Sequence, residues 1–145
     1  MGDPLTVAAS VVALVTISAQ IYTAVDSFVD KVKDAPSRAH SLRSDVNSFH
    51  GCISSFQVLL TTAAFQPTCG ELLSARNVVT TLTDAVPLLD EIKEELSPLT
   101  VTQSGRMSIV DRGRWVSRSG RLLLLQKRLH NSISILTLQV SILQW

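Results

Sequence analysis

The chain has 145 residues, of which 46% are hydrophobic, 17% charged and 5% aromatic, a balance that excludes a disordered chain. Six Gly and five Pro exclude a collagen-like or low-complexity chain, and two Cys, at 52 and 69, are too few for the disulfide framework of a small secreted scaffold. The net charge of +1 hides a division: residues 1–100 carry six basic against eleven acidic side chains (net −5), and residues 101–145 carry seven basic against Asp111 alone (net +6), so the C-terminal part needs either an internal acidic fit or an anionic partner.

The first predicted element covers about residues 4–33. Val7, Val11, Leu14, Ser18, Ile21, Val25, Phe28 and Val32 recur at spacings of three and four, the repeat of a helix packed along a seam. Asp3-Pro4 supplies an N-cap and a first-turn proline. Pro4 through Val25 hold no charge over 22 positions, about 33 Å of helix, comparable with a bilayer core of about 30 Å. Thr6, Ser10, Thr16, Ser18, Gln20 and Thr23 make the stretch less apolar than a Leu-rich span. The face opposite the seam is built from Ala9, Ala13, Thr16, Gln20 and Ser27, without the Lys or Glu of an ordinary solvated face. The expectation is a helix central to a bundle and touched on most sides; the sharper alternative is a helix that contacts a membrane or another copy. A secretory signal is excluded by the missing positive n-region. Gly2 with Thr6 fits the myristoylation pattern only formally, since Asp3 sits beside the acceptor glycine.

The second element is predicted over 37–64, after the break at Asp34-Ala35-Pro36, with Ala39, Leu42, Val46, Phe49, Ile53, Phe56, Leu60 and Ala63 on its seam. Gly51-Cys52 suggests a close helix approach, with Cys52 as a buried, inert thiol. The third is predicted over 69–96, with Thr68 to Glu71 at capping-box spacing. Its seam is Leu72, Ala75, Val79, Leu82, Val86, Leu89, Ile92 and Leu96, and Pro87 should bend it near Asp84. A long loop is expected over 97–111, where Pro98, Ser104, Gly105 and Ser108 fall. The fourth helix is predicted over 112–145, with Leu122, Leu125, Leu129, Ile133, Leu136, Val140 and Leu143 inward. The fold class is therefore all-α, an antiparallel up-down four-helix bundle with long helices and a long loop before the last. The chain reads as one domain, and its end inside an apolar helix suggests that more chain follows.

Chemistry is sparse. No Gly-x-Ser-x-Gly elbow or phosphate-cradling glycine loop occurs, and His40, His50 and His130 lack zinc-ligand spacing to each other or to the cysteines. Nothing marks an enzyme, a cofactor, a metal or a small-molecule substrate. The basic residues are better ordered: Arg114, Arg118, Arg121 and Arg128 share one helical stripe. Two readings stand. The stripe pairs with the acidic end of the third helix, Glu91, Glu94 and Glu95 meeting Arg114 and Arg118, or it attracts anionic lipid headgroups. Nucleic acid is not expected, because the chain is not basic overall and only Trp115 adds an aromatic near the arginines.

The opening Met1-Gly2-Asp3-Pro4-Leu5-Thr6-Val7-Ala8-Ala9-Ser10 resembles the start of the fungal HeLo-like N-terminal domain, found on STAND (NLR-like) and ankyrin-repeat proteins and on an azaphilone pigment cluster protein. Lys33-Asp34-Ala35-Pro36 is similar to that family's junction between its first two helices, and Leu42 with Val46 fits the helix that follows. Arg114-Trp115 and the run from Leu125 to Ile133 resemble its last helix. The resemblance implies a non-enzymatic signalling or effector domain that oligomerises and targets membranes in regulated cell death or incompatibility, with STAND or ankyrin-repeat regions in the same full-length chain. It implies a cytoplasmic protein recruited to the plasma membrane, with anionic lipids and self-association as partners. The contact candidates are Ala9, Ala13, Thr16, Gln20, Arg114, Arg118, Arg121 and Arg128. The alternative is a homotypic oligomerisation or adaptor domain without membrane activity.

Overall fold

Residues with apolar side chains every three or four positions can bury them only as helices sharing an axis. The computed structural model describes residues 4–63, 76–99 and 106–143, and it has this form. Its described residues make four α-helices and no strand: α1 (Pro4–Lys31), α2 (Ser37–Ala63), α3 (Arg76–Leu96) and α4 (Ile109–Leu143).

The core is the set of seams. Val11, Leu14, Ser18, Ile21, Val25, Phe28 and Val32 of the first stripe are buried, as are Ala39, Leu42, Val46, Phe49, Ile53 and Phe56 of the second. Leu82, Leu89, Ile92 and Leu96 follow from α3, and Leu122, Leu125, Leu129, Leu136 and Val140 from α4, with Val86 and Ile133 half-buried against them. The sequence pattern did not mark Ala85, Leu88, Leu99, Met107 or Trp115 as seam positions, and they are buried too. Ser18 sits in α1's seam without harm because its hydroxyl donates to the Val15 carbonyl at 3.2 Å.

Each helix packs against two others. α1 lies against α2 and α3, and α4 lies against the same two, so α1 and α4 occupy opposite corners, as do α2 and α3. Side-chain partners give the relative directions. Arg118 reaches Glu95 while Arg128 reaches Glu91, so α3 and α4 run oppositely. Asp45 meets His130 and Cys52 meets Thr137, so α2 and α4 run the same way as neighbours. The expectation that neighbouring helices are all antiparallel is therefore corrected: consecutive α2 and α3 sit across the diagonal, and the parallel pair α2 and α4 touch instead.

Three other expectations change. α1 is not touched on most sides; it has two neighbours, and Ala9, Val12, Thr16, Gln20 and Thr23 are exposed. Small and hydroxyl-bearing side chains tolerate water at little cost, so an uncharged face did not require burial. The fourth helix begins at Ile109 rather than 112, because Ser108 and Asp111 form a reciprocal cap: the Asp111 N–H donates to Ser108 Oγ at 3.1 Å, and the Ser108 N–H to Asp111 Oδ2 at 3.4 Å. The loop predicted to reach 111 thus gives up its last residues to helix. Gly51 marks no close approach, since a Cβ there would meet nothing within 4 Å. α3 runs unbroken across an exposed Pro87. The Asp3 cap, the Gly2 pattern, the Thr68–Glu71 box and residues 69–75 of the predicted third helix lie outside the described residues, as does the end of the fourth helix at 144–145.

Leu14→Ala removes a fully buried side chain and is expected to cost about 2–5 kcal/mol. Thr16→Lys, on the exposed face of the same helix, should stay within about 0.5 kcal/mol of the parent. Urea unfolding midpoints compare the two; equal costs would contradict the orientation of α1.

Candidate functional site

One end of the bundle gathers the C-termini of α1 and α3 and the N-termini of α2 and α4. Phe28 of α1 stacks on Trp115 of α4 with ring centroids 5.5 Å apart. Above this stack, Asp34 in the α1–α2 junction accepts a hydrogen bond from the Met107 N–H at 3.1 Å and an ion-paired one from the Arg112 guanidinium. These bonds favour the charged carboxylate, so Asp34 titrates below its ordinary 3.8, with the Arg112 bond the largest cause. A nearby pair, Arg43 Nη1 and Asp26 Oδ1 at 3.2 Å, joins α1 to α2.

The arginine stripe faces α3. Arg118 Nη1 is 3.0 Å from Glu95 Oε2, Arg121 Nε is 3.2 Å from Glu95 Oε1, and Arg128 Nη1 is 3.4 Å from Glu91 Oε2. Arg121 also approaches Glu91 at 3.7 Å. The acidic end of α3 and the basic stripe thus close on each other, with Arg121 and Arg128 taking places expected of Arg114. Arg114 is exposed and has no ion pair among the described residues; Glu94 is likewise exposed. Each paired arginine keeps 39% to 55% of its side chain in water, so each bridge contributes about 0–1 kcal/mol.

The α2–α4 seam carries a polar network that nothing in the apolar repeat announced. Gln126 is buried; its Oε1 accepts from Arg38 Nη1 at 3.0 Å, and its Nε2 donates to Ser41 Oγ at 2.7 Å and to Asp45 Oδ2. His130 Nε2 is 2.7 Å from the same Asp45 oxygen. The only sequence signal was a Gln one residue after an inward Leu125. Farther along the seam, a shallow groove of about 460 Å³ is lined by Ser48, Cys52, Ser55, Thr137 and Ser141 among others. Cys52 is half-buried, and burial pushes its thiol up, which keeps it in the unreactive form at neutral pH.

The α1 candidates separate. Ala9, Thr16 and Gln20 are exposed and Ala13 is half-buried; Gln20 Oε1 accepts from Lys93 Nζ of α3 at 2.9 Å, so Gln20 belongs to the α1–α3 seam. Across the molecule, the outer face of α4 mixes exposed apolar side chains with Ser117, Asn131 and Ser134, which are exposed too. Ile109, Val116, Leu124 and Leu138 are more than half exposed, and Leu123 joins them at the edge. Gly113 and Gly120 lie between, open to solvent, and Lys127 is the one charge along the centre of this face. Sequence reading placed the arginine stripe on α4 and Leu122 and Leu125 in the core, and assigned no place to Val116, Leu123, Leu124 or Leu138. Among the described residues no group of three or more His, Cys, Asp or Glu could hold a metal.

No family model, curated protein or solved structure matches this chain.

Two outcomes test the electrostatics. Arg118→Glu with Arg121→Glu sets like charges against Glu91 and Glu95 and is expected to lower stability by about 1–2 kcal/mol, with recovery when Glu91 and Glu95 become Arg. Asp34 has a lowered folded-state pKa, so its contribution is present above its ordinary value and is lost as pH falls through the lowered one. Melting temperatures of the parent and Asp34→Asn should therefore differ at neutral pH and converge in strong acid; a constant gap would remove Asp34 from the junction's energetics.

Proposed function

We propose that this chain is a non-enzymatic signalling domain of the HeLo-like kind, standing at the N-terminus of a fungal NLR-like protein and acting by homotypic oligomerisation. The reading takes α1 to α4 as one bundle whose helices alternate up and down, with α2 and α3 on the diagonal. The observation that carries it is the pair of unpartnered faces: the outer face of α1, without charge from Ala9 to Thr23, and the outer face of α4, where Ile109, Val116, Leu124 and Leu138 are exposed. A soluble monomer has no use for an exposed strip of Ile109, Val116, Leu124 and Leu138 on one helix. The arginine ladder supports self-association over lipid attraction, because Arg118, Arg121 and Arg128 are committed to Glu91 and Glu95. STAND or ankyrin-repeat regions in the same full-length chain would supply the trigger, and neither cofactor, nucleic acid nor small-molecule substrate enters this reading.

Membrane targeting in regulated cell death or incompatibility is the second reading. It is favoured by Ala8–Lys31, 24 residues long and apolar enough to cross a bilayer, a test that the core helix of a soluble protein also passes. Just 28% of its most apolar window is buried in the bundle. In this reading a cytoplasmic domain is recruited to the plasma membrane once clustered.

Sedimentation velocity over a wide concentration range, followed by flotation with phosphatidylserine vesicles at low salt, tests the choice. Self-association without lipid and no flotation of the unclustered protein is the expected result. Flotation of a protein that stays monomeric in solution would replace the first reading by the second.

A further inference from the structure

The two unpartnered faces point away from each other, at diagonal corners of the bundle. They differ in kind. The outer face of α1 is small-featured, with Ala9, Thr16 and Thr23 exposed around Val12; that of α4 is bulky, with Val116, Leu124 and Leu138. The α4 face does not complement itself: two copies of α4 set face to face would bring Lys127 of each toward the same charge of the other.

Their heights in the bundle are fixed by the Phe28–Trp115 stack, which puts these two residues at one level. From there α1 descends toward its N-terminus as α4 descends toward its C-terminus, each at about 1.5 Å per residue. Thr23 therefore shares a level with Gly120, and Ala19 with Leu124. Asp30, exposed and without an ion pair among the described residues, shares one with Gly113 and its neighbour Arg114, which is equally free. Two copies side by side in the same orientation bring α4 of one against α1 of the next along about 30 Å, antiparallel, with Leu124 opposite Ala19, Val116 opposite Ser27, Lys127 opposite Thr16, Asn131 opposite Val12, and Asp30 opposite Gly113 and its neighbour Arg114.

We propose that copies of this chain associate head to tail, the outer face of α4 of one copy docking on the outer face of α1 of the next. This rests on the self-association reading above and names its surfaces. The contact is heterologous, so each copy keeps one free donor face and one free acceptor face, and repetition in one orientation makes an open chain rather than a closed dimer.

Leu124→Lys and Val12→Lys test it, because both side chains are more than half exposed and a charge there should leave the fold intact, as circular dichroism melting checks. Val116→Lys and Thr16→Lys serve the same ends should either unfold. In sedimentation equilibrium the parent should grow in mean mass with concentration without a plateau at the dimer. Each variant alone should stay monomeric. An equimolar mixture should form a species of twice the monomer mass and stop there, since the intact α4 of the Val12→Lys chain still fits the intact α1 of the Leu124→Lys chain. Assembly that persists in both variants overturns the proposed surfaces and leaves self-association standing. A mixture as monomeric as its parts overturns the heterologous pairing. A parent that is monomeric throughout overturns both, and loss of phosphatidylserine vesicle binding in Leu124→Lys would then assign the face to lipid.

Discussion

Four apolar stripes, each repeating every three or four residues, must share one narrow axis, and the other features follow from how that sharing is done. A helix that gives one stripe to a common core touches two neighbours and leaves its outer side to solvent. α1 meets this constraint with Val11, Leu14, Ile21 and Val25 inward, all essentially without solvent contact. What remains outward on α1 and α4 is set by composition, and both helices put few charges there. The exposed faces are thus a by-product of the same packing that makes the core dry.

Charge finishes what packing starts. The acidic end of α3 and the arginines of α4 oppose one another because the two helices run in opposite senses, and the individual bridges are weak. The Asp34 clasp is different in kind. It ties a backbone amide and a guanidinium of the last helix to the turn between the first two, joining segments 73 and 78 residues apart in sequence. Electrostatics here selects the arrangement more than it holds it.

The core was legible because burial obeys periodicity. From Val11 to Val32 every position of the α1 stripe proved buried, Ser18 included, since an inward serine that hydrogen-bonds its own helix does not break the pattern. The start of α4 was also written in the chain, as Ser108 followed three residues later by Asp111, but the glycines and serines around it read as loop. Which helices would be neighbours was not legible. Connection length argues for adjacency of consecutive helices, and nothing in a single stripe tells which of three partners it will meet. The solvation of α1's outer face was not legible for a related reason: lack of charge does not distinguish contact from exposure, because Ala and Thr are indifferent to water. Gln126 was invisible because a lone amide between Leu125 and Lys127 carries no period.

That buried amide has a mechanical consequence. α2 and α4 are parallel neighbours, and parallel helices with similar apolar repeats can slide past one another by a turn, about 5.4 Å, with little change in greasy contact. Gln126 forbids the slide. Arg38, Ser41 and Asp45 span two turns of α2, so a shift of one turn would break the set and leave the buried amide with fewer partners. The seam behaves as a keyed shaft: the leucines supply the grip, and one polar tooth chooses the notch.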